Sequence, residues 1–249
     1  MARLDDAVAF CDAILSPGAF QDYPGSHNGL QVSNGGTLRR LGAAVDANAL
    51  TIAGAIGEGV DLLLVHHGLF WGNALPFTGP RRELYAALLG SNLAVYSSHL
   101  PLDCHRELGN NAALLRILQL EHLGDVAVDR GFFLPLARAE RPRDLFRGQI
   151  LHHFPGARCL EFGPGEVRRV LVCSGAGGAT IASMATGDFD AVLTGEAPRH
   201  FFDFACANCI NAYVCGHYAT EIFGVQNLAR AVAAQFSLPW TWIGEDCPL

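Results

Sequence analysis

Leu62-Leu63-Leu64-Val65-His66-His67-Gly68 is the stretch whose reading decides the fold. Asp61 to Val65 predicts a continuous apolar strand, of the kind buried on both faces in a parallel sheet. Two histidines follow at its carboxyl end. Neighbouring side chains on a regular strand point to opposite faces, so both can serve one site only if the strand has already broken, which Gly68 permits. Otherwise each histidine serves a different ion of a pair.

Similar runs flank this one. Leu41 to Val45 and Leu93 to Ser97 predict strands. Asp5 to Leu15, Asn48 to Gly57, Arg81 to Leu89 and Asn110 to Leu118 predict helices, from apolar spacing and glycine stops. A second series follows. Gly131–Leu136, Arg168–Cys173, Asp190–Leu193 and Asn211–Cys215 predict strands. Arg141–Phe146, Thr180–Ala185, Arg199–Cys206 and Gly224–Phe236 predict helices. The alternation predicts an α/β fold of two domains with mainly parallel sheets, residues 1–125 and 126–249, divided near Gly124-Asp125.

Composition bounds the rest. The chain has 249 residues, half of them apolar and 16% charged, enough for a real core. Its formal net charge of −7 argues against a nucleic-acid partner, which normally needs a basic face. All 17 basic residues are arginine. A lysine Schiff base and a Walker-type phosphate loop are therefore excluded. No apolar run reaches the length of a membrane span, and the charged start Met1-Ala2-Arg3-Leu4-Asp5-Asp6 does not read as a secretory segment. With eight cysteines read as reduced thiols, the expectation is a cytoplasmic protein. Cys206-Ala207-Asn208-Cys209 is a lone pair in an apolar stretch and reads as buried packing; Cys11 and Cys173 read as core.

In open parallel sheets, ligands gather beyond the carboxyl ends of strands. His66 and His67 stand at one such end. His99 stands at another, with Asp103 four residues on, where a carboxylate can bridge two cations. His217 and Glu221, four apart at a helix start, share one helix face. These six are the candidate metal ligands, at strand carboxyl ends between the two domains. Mixed imidazole and carboxylate donors suit zinc, iron, manganese or nickel better than calcium. His152-His153 is a second adjacent pair, read as a loop or helix end with no such company. His105 is near enough to Asp103 to donate to it, and His122 lacks comparable placement. Glu196, after Thr194-Gly195, and His200 one turn on are candidate proton-moving or substrate groups; a helix N-cap is the alternative. Gly175-Ala176-Gly177-Gly178 opens a helix and can hold an anion or simply turn tightly.

Six motifs resemble the Nif-three-like dinuclear-metal proteins, often named GTP cyclohydrolase I type-two homologues. They are Asn28-Gly29-Leu30-Gln31-Val32, Ala44-Val45-Asp46-Ala47, Leu64 to Trp71, His99-Leu100-Pro101-Leu102-Asp103, Leu193-Thr194-Gly195-Glu196 and Gly216 to Glu221. Their order matches, and the length resembles the family's short form, without an insertion domain. The resemblance implies a ring-shaped homohexamer and two divalent metal ions per chain on His66, His67, Asp103, His217 and Glu221, with His99 a further ligand. His27 stands where an acidic residue is common in the family. The cyclohydrolase name follows from none of these residues. Three functions fit them. The first is a metal-dependent hydrolase for a nucleotide, phosphoester or cyclic amide. The second is a protein that stores or delivers metal, and the third a metal-stabilised scaffold.

Overall fold

The computed structural model describes residues 1–73, 75–128, 132–184 and 187–247. In chain order the strands are β1 (Ala2–Arg3), β2 (Gly29–Val32), β3 (Thr37–Leu38), β4 (Leu41–Asp46), β5 (Leu62–His67), β6 (Ala94–Ser97), β7 (Glu121–Ala127), β8 (Phe133–Pro142), β9 (Arg158–Glu161), β10 (Glu166–Cys173), β11 (Ala191–Thr194), β12 (Asn211–Val214) and β13 (Trp240–Trp242). The α-helices are α1 (Leu4–Leu15), α2 (Ala49–Gly57), α3 (Gly79–Gly90), α4 (Leu100–Asp103), α5 (Asn110–Ile117), α6 (Arg143–His153), α7 (Gly177–Ser183), α8 (Arg199–Ala207) and α9 (His217–Phe236).

These elements form two compact units. Unit 1 comprises Met1–Leu102 and Ile222–Asp246; unit 2 comprises Asp103–Glu221 with Cys247. The crossings therefore fall at Leu102/Asp103 and Glu221/Ile222, not near Gly124-Asp125. The reason is packing: α5 lies on β8 and β10, and β7 pairs with β8, so the segment after Asp103 belongs with the sheet that follows it. The chain's last strand, β13, pairs with β4.

Unit 1 is built on a five-stranded sheet in the order β13-β4-β5-β6-β2. β13, β4, β5 and β6 are mutually parallel, and β2 closes the edge antiparallel. Leu62, Leu63, Leu64 and Val65 have no solvent exposure, as expected of a strand covered on both faces. Each such leucine contributes roughly 1.5–3 kcal/mol of burial. Asn48 caps α2, its side chain accepting from the Leu50 and Thr51 amides, and so fixes how the chain leaves β4.

Unit 2 holds a six-stranded sheet in the order β7-β8-β10-β11-β12-β9. Its centre, β10-β11-β12, is parallel; the outer pairs are antiparallel.

Several sequence expectations change in detail. β5 runs through His67 instead of stopping at Val65. The predicted strand from Gly131 and the predicted helix to Ala185 reach outside the described residues at those ends. The expected helix from Arg141 starts only at Arg143, because β8 continues to Pro142. α9 begins at His217, so the ligand-bearing turn and the expected last helix are one element. Cys206 and Cys209 are exposed, not buried: α8 ends at Ala207, and Cys209 adopts a left-handed conformation (φ 51°) in the turn beyond it. Cys11 and Cys173 are buried as expected. No helix of the described residues is long and apolar enough to cross a membrane.

Candidate metal centre

Parallel register does the positioning in unit 1. Asp46 of β4 lies opposite His67 of β5, and Val65 of β5 opposite Ser97 of β6. β4 and β5 thus end level, and β6 ends two residues short of β5, beside Val65. The ladder is tied off there by Ala47 N–H to the His67 carbonyl at 2.8 Å and Ser98 N–H to the Val65 carbonyl at 3.0 Å.

His66, His67 and His99 each offer a ring nitrogen, and these atoms lie within 4.8 Å of one another, a grouping that can hold a metal ion. The His66 and His67 ring centroids are 4.7 Å apart although the strand has not broken. The two rings are tilted 45° to each other at the last two residues of β5. The Nδ1 of each ring meets a fixed oxygen. His66 Nδ1 donates to the Ser98 carbonyl at 2.9 Å, His67 Nδ1 to Asp46 Oδ1 at 2.9 Å, and His99 Nδ1 to Asp22 Oδ1 at 2.8 Å. An acceptor-only partner on Nδ1 places the neutral ring's lone pair on Nε2, the arrangement that metal-binding histidines use.

Asp22 is itself tightly held, accepting from Asn28 Nδ2 at 2.8 Å and from the Leu100 amide at 3.1 Å. Burial pushes its carboxyl up, but the hydrogen bond and charge of His99, with help from Asn28 and the Tyr23 amide, outweigh burial and hold it well below the usual carboxylate range. Asn28 also accepts the His99 amide at 2.7 Å. Trp71 stands edge-on to His99, with centroids 5.0 Å apart, and near His67 at 5.6 Å.

Unit 2 repeats the logic. Cys173, Thr194 and Val214 end β10, β11 and β12 in parallel register. Ser174-Gly175, Gly195-Glu196 and Gly216-His217 follow these three ends. Ser174 Oγ donates to Asp103 Oδ1 at 3.1 Å, and Asn110 Nδ2 donates to the same oxygen at 2.9 Å. His105, expected from the sequence as a donor to Asp103, accepts at Nδ1 from the Glu107 and Leu108 amides at 3.2 and 3.0 Å. His217 Nδ1 donates to Glu196 Oε2 at 2.9 Å, and its Nε2 lies 3.2 Å from Glu221 Oε2. The hydrogen bond to Glu221 raises the imidazole pKa to about 9 against the opposing effect of burial; the Glu221 charge and Glu196 add to the rise.

Gly175 explains the glycine loop. It has φ +60°, and a Cβ there would stand 2.0 Å from Glu221 Oε1 and 3.2 Å from His217 Nε2. The loop therefore turns tightly against two candidate ligands, and only glycine fits. Cys173, one strand residue earlier, is a poor metal donor as it stands: burial, then Asp103 and Glu221, push its thiol well above the ordinary value.

The six candidate ligands thus fall three to a unit. Five are buried or nearly so by their side chains, and His217 is the most open at 30%. His200 is exposed at the start of α8, and among the described residues no hydrogen bond or ion pair joins it to this group. His122 pairs with Asp125 at an exposed site. The sequence pattern misses Asp22, Ser174 and Asn110, and gives Asp46 no role.

The family model for Duf34/NIF3 (NGG1p interacting factor 3) matches residues 2–246. The chain belongs to the Duf34/NIF3 family. Among similar proteins, the GTP cyclohydrolase 1 type 2 homolog of Deinococcus radiodurans is 38% identical over 245 residues, covering 96% of this chain and 92% of that protein. The homolog of Yersinia pestis is 36% identical, covering 92% of each. Among solved structures, TTHA1606 from Thermus thermophilus superposes with a TM-score of 0.89 at 32% identity, covering 99% of this chain and 100% of that one. The protein ybgI, of unknown function, superposes at 0.91 and 29% identity with the same coverage. The Duf34/NIF3 assignment therefore spans both units.

Proposed function

We propose that this protein holds two divalent metal ions on His66, His67, His99, Asp103, His217 and Glu221, and uses them to hydrolyse a nucleotide, phosphoester or cyclic amide. One observation carries the reading. All four histidines direct Nδ1 at a fixed oxygen, from Ser98, Asp46, Asp22 and Glu196 respectively. Rings held that way are oriented to ligate through Nε2. The donor set, four imidazoles and two carboxylates, suits zinc, iron, manganese or nickel. Bound divalent ions supply Lewis acidity to a carbonyl or phosphoryl oxygen and bring the pKa of water toward about 7.

The chain's own residues do the rest. Ser174 and Asn110 fix one oxygen of Asp103, leaving its geometry set before a ligand arrives. Trp71 covers His67 and His99 and limits water at that face. Of the two residues expected to move protons, Glu196 and His200, we assign the role to Glu196, whose carboxylate touches His217. The reading includes a homohexamer, by family resemblance, and a cytoplasmic location, supported by eight cysteines of which none is paired.

Elemental analysis of the purified protein tests the metal premise, with two ions per chain expected. Metal-loaded and chelated protein are then compared on nucleotides, phosphoesters and cyclic amides. Metal-dependent turnover is the expected result. Two bound ions, no turnover and rapid transfer to a metal-free acceptor would replace the hydrolase reading with a carrier. Less than one ion per chain would remove both.

A further inference from the structure

We infer that the cleft beside His217 binds an anion carried on an aromatic ring, with Arg158 as the anion anchor and Phe202 as the ring's floor. The inference rests on the hydrolase reading for what happens to that molecule, and narrows its substrate class.

The cleft lies wholly in unit 2. Arg158 opens the edge strand β9 and pairs in register with Val214 of β12, two residues before Gly216-His217. A cavity of about 310 Å³ is bounded by Gly156, Arg158, Glu196, Ala197, Gly216 and His217, among others. A second cavity of about 300 Å³ shares Arg158, Ala197 and Val214 with the first, and continues over Leu160, Phe201 and Phe202. These volumes are at the lower end of those that small-molecule sites use. The two cavities differ in chemistry. The first is about half polar and includes a candidate metal ligand; the second is mostly apolar. Arg158 stands where they meet.

Arg158 is also uncommitted. Among the described residues its side chain has no ion pair and no hydrogen bond, whereas its neighbours are taken. Arg147 and Arg143 pair with Glu161, and Arg199 pairs with Asp203 at 2.9 Å. The chain has no lysine, so a cationic side-chain contact to an anion falls to arginine or histidine. A guanidinium at the junction of a polar and an apolar cavity suits a planar, two-pronged oxyanion contact such as a phosphate or carboxylate makes. Glu196 lines the polar end and repels an anion there, which leaves the negative group to Arg158 and turns the scissile group toward His217.

The ring site is equally specific. Phe202 is 43% exposed. Its ring is held edge-on by Phe162, with centroids 5.2 Å apart, and the Arg199 guanidinium lies 5.3 Å from its centroid. With Arg199 over one side, the rest of this part-exposed ring offers stacking to another ring. In the cavity of about 250 Å³ lined by Asp103, Arg106 and Phe133, Arg106 is ion-paired with Asp125 and lies over Phe133.

The test is calorimetric titration of full-length protein, metal-loaded and chelated, with phenyl phosphate and with inorganic phosphate. Phenyl phosphate binds more tightly than inorganic phosphate in the expected result. Arg158→Ala weakens phenyl phosphate about tenfold or more, the loss of a charge-assisted contact, and Arg158→Lys restores part of it. Phe202→Ala weakens phenyl phosphate and leaves inorganic phosphate unchanged. Both positions are exposed, so the variants should fold, and circular dichroism checks that they do. Equal affinity for the two anions, or phenyl phosphate binding indifferent to Arg158→Ala, overturns the inference. Arg158-dependent binding that persists in chelated protein with no turnover on any substrate sustains the cleft and sinks the hydrolase reading. Metal-dependent turnover with a KM untouched by Arg158→Ala does the reverse.

Discussion

His66-His67 and His152-His153 are the same dipeptide in two settings. Both follow apolar residues, and their ring centroids are almost equally close, 4.7 and 5.0 Å. Ring proximity therefore does not separate a candidate metal site from a pair of surface residues. What separates them is where Nδ1 goes. At 66 and 67 the strand ends beside two parallel neighbours, which present the Ser98 carbonyl and the Asp46 carboxylate. At 152 and 153 an amphipathic helix ends in solvent, both residues are exposed, and among the described residues neither ring has a hydrogen bond. A histidine is free to be a ligand by its residue type, and is prepared to be one only by the oxygen behind it.

The largest effect should come from removing a ring itself. His66→Ala deletes a buried donor from the three-histidine group of unit 1 and should reduce bound metal by at least one ion per chain. His152→Ala with His153→Ala should leave the metal content at its wild-type value. Elemental analysis of both proteins, prepared side by side, decides it. Equal metal in the two would break the comparison outright. Thermal melting checks that the His66→Ala protein is folded.

A second, smaller effect isolates the supporting oxygen. Asp46→Asn and Asp22→Asn keep every ligand and change only what Nδ1 faces. Losses of this kind cost about 10- to 100-fold in metal affinity, measured by competition with a chelator of known affinity. Asp22→Asn should be the more damaging, since that carboxylate also accepts the Leu100 amide and Asn28. If both variants bind metal as wild type does, then strand-end crowding alone orients the rings, and the oxygens are incidental.

The same distinction marks what the sequence can show. The apolar run ending at His66-His67, the strand ending before His99 and the helix start carrying His217 and Glu221 are legible, because burial on both faces forces an uninterrupted apolar signal. Register is legible only in part. Nothing local says that β4 and β5 end level, so Asp46 stands in a motif without its partner being evident. Asp22 lies in an irregular segment before β2, with no periodicity to expose it, and reaches His99 across 77 positions. Ser174 carries no local signal, because its contact with Asp103 spans 71 positions. Edge strands such as β9 alternate too weakly over four residues to be seen, which leaves Arg158 unmarked. The exposed Cys206-Cys209 misleads for the opposite reason: its apolar composition points to a buried face, while the chain uses it at a helix end.

The smallest expected effect tests the same contrast without any metal. In the metal-free protein, His217 has its pKa raised to about 9 by the hydrogen bond to Glu221, with Glu196 adding to it. The folded state therefore binds this proton more tightly than the unfolded chain, where histidine titrates near about 6.5. The stabilisation is fully present below about pH 6.5 and is lost as pH rises through about 9. Glu221→Gln removes the main source of the shift. The gap in melting temperature between chelated wild type and Glu221→Gln should thus be widest near about pH 6 and narrow steadily up to about pH 9.5. His152→Ala with His153→Ala, lacking any such partner, should run parallel to wild type over the same range. A gap that stays constant with pH would mean that the His217–Glu221 contact stores no proton-linked stability. His217 would then be oriented by Glu196 alone, as His67 is by Asp46, and unit 2 would hold its ring no differently from unit 1.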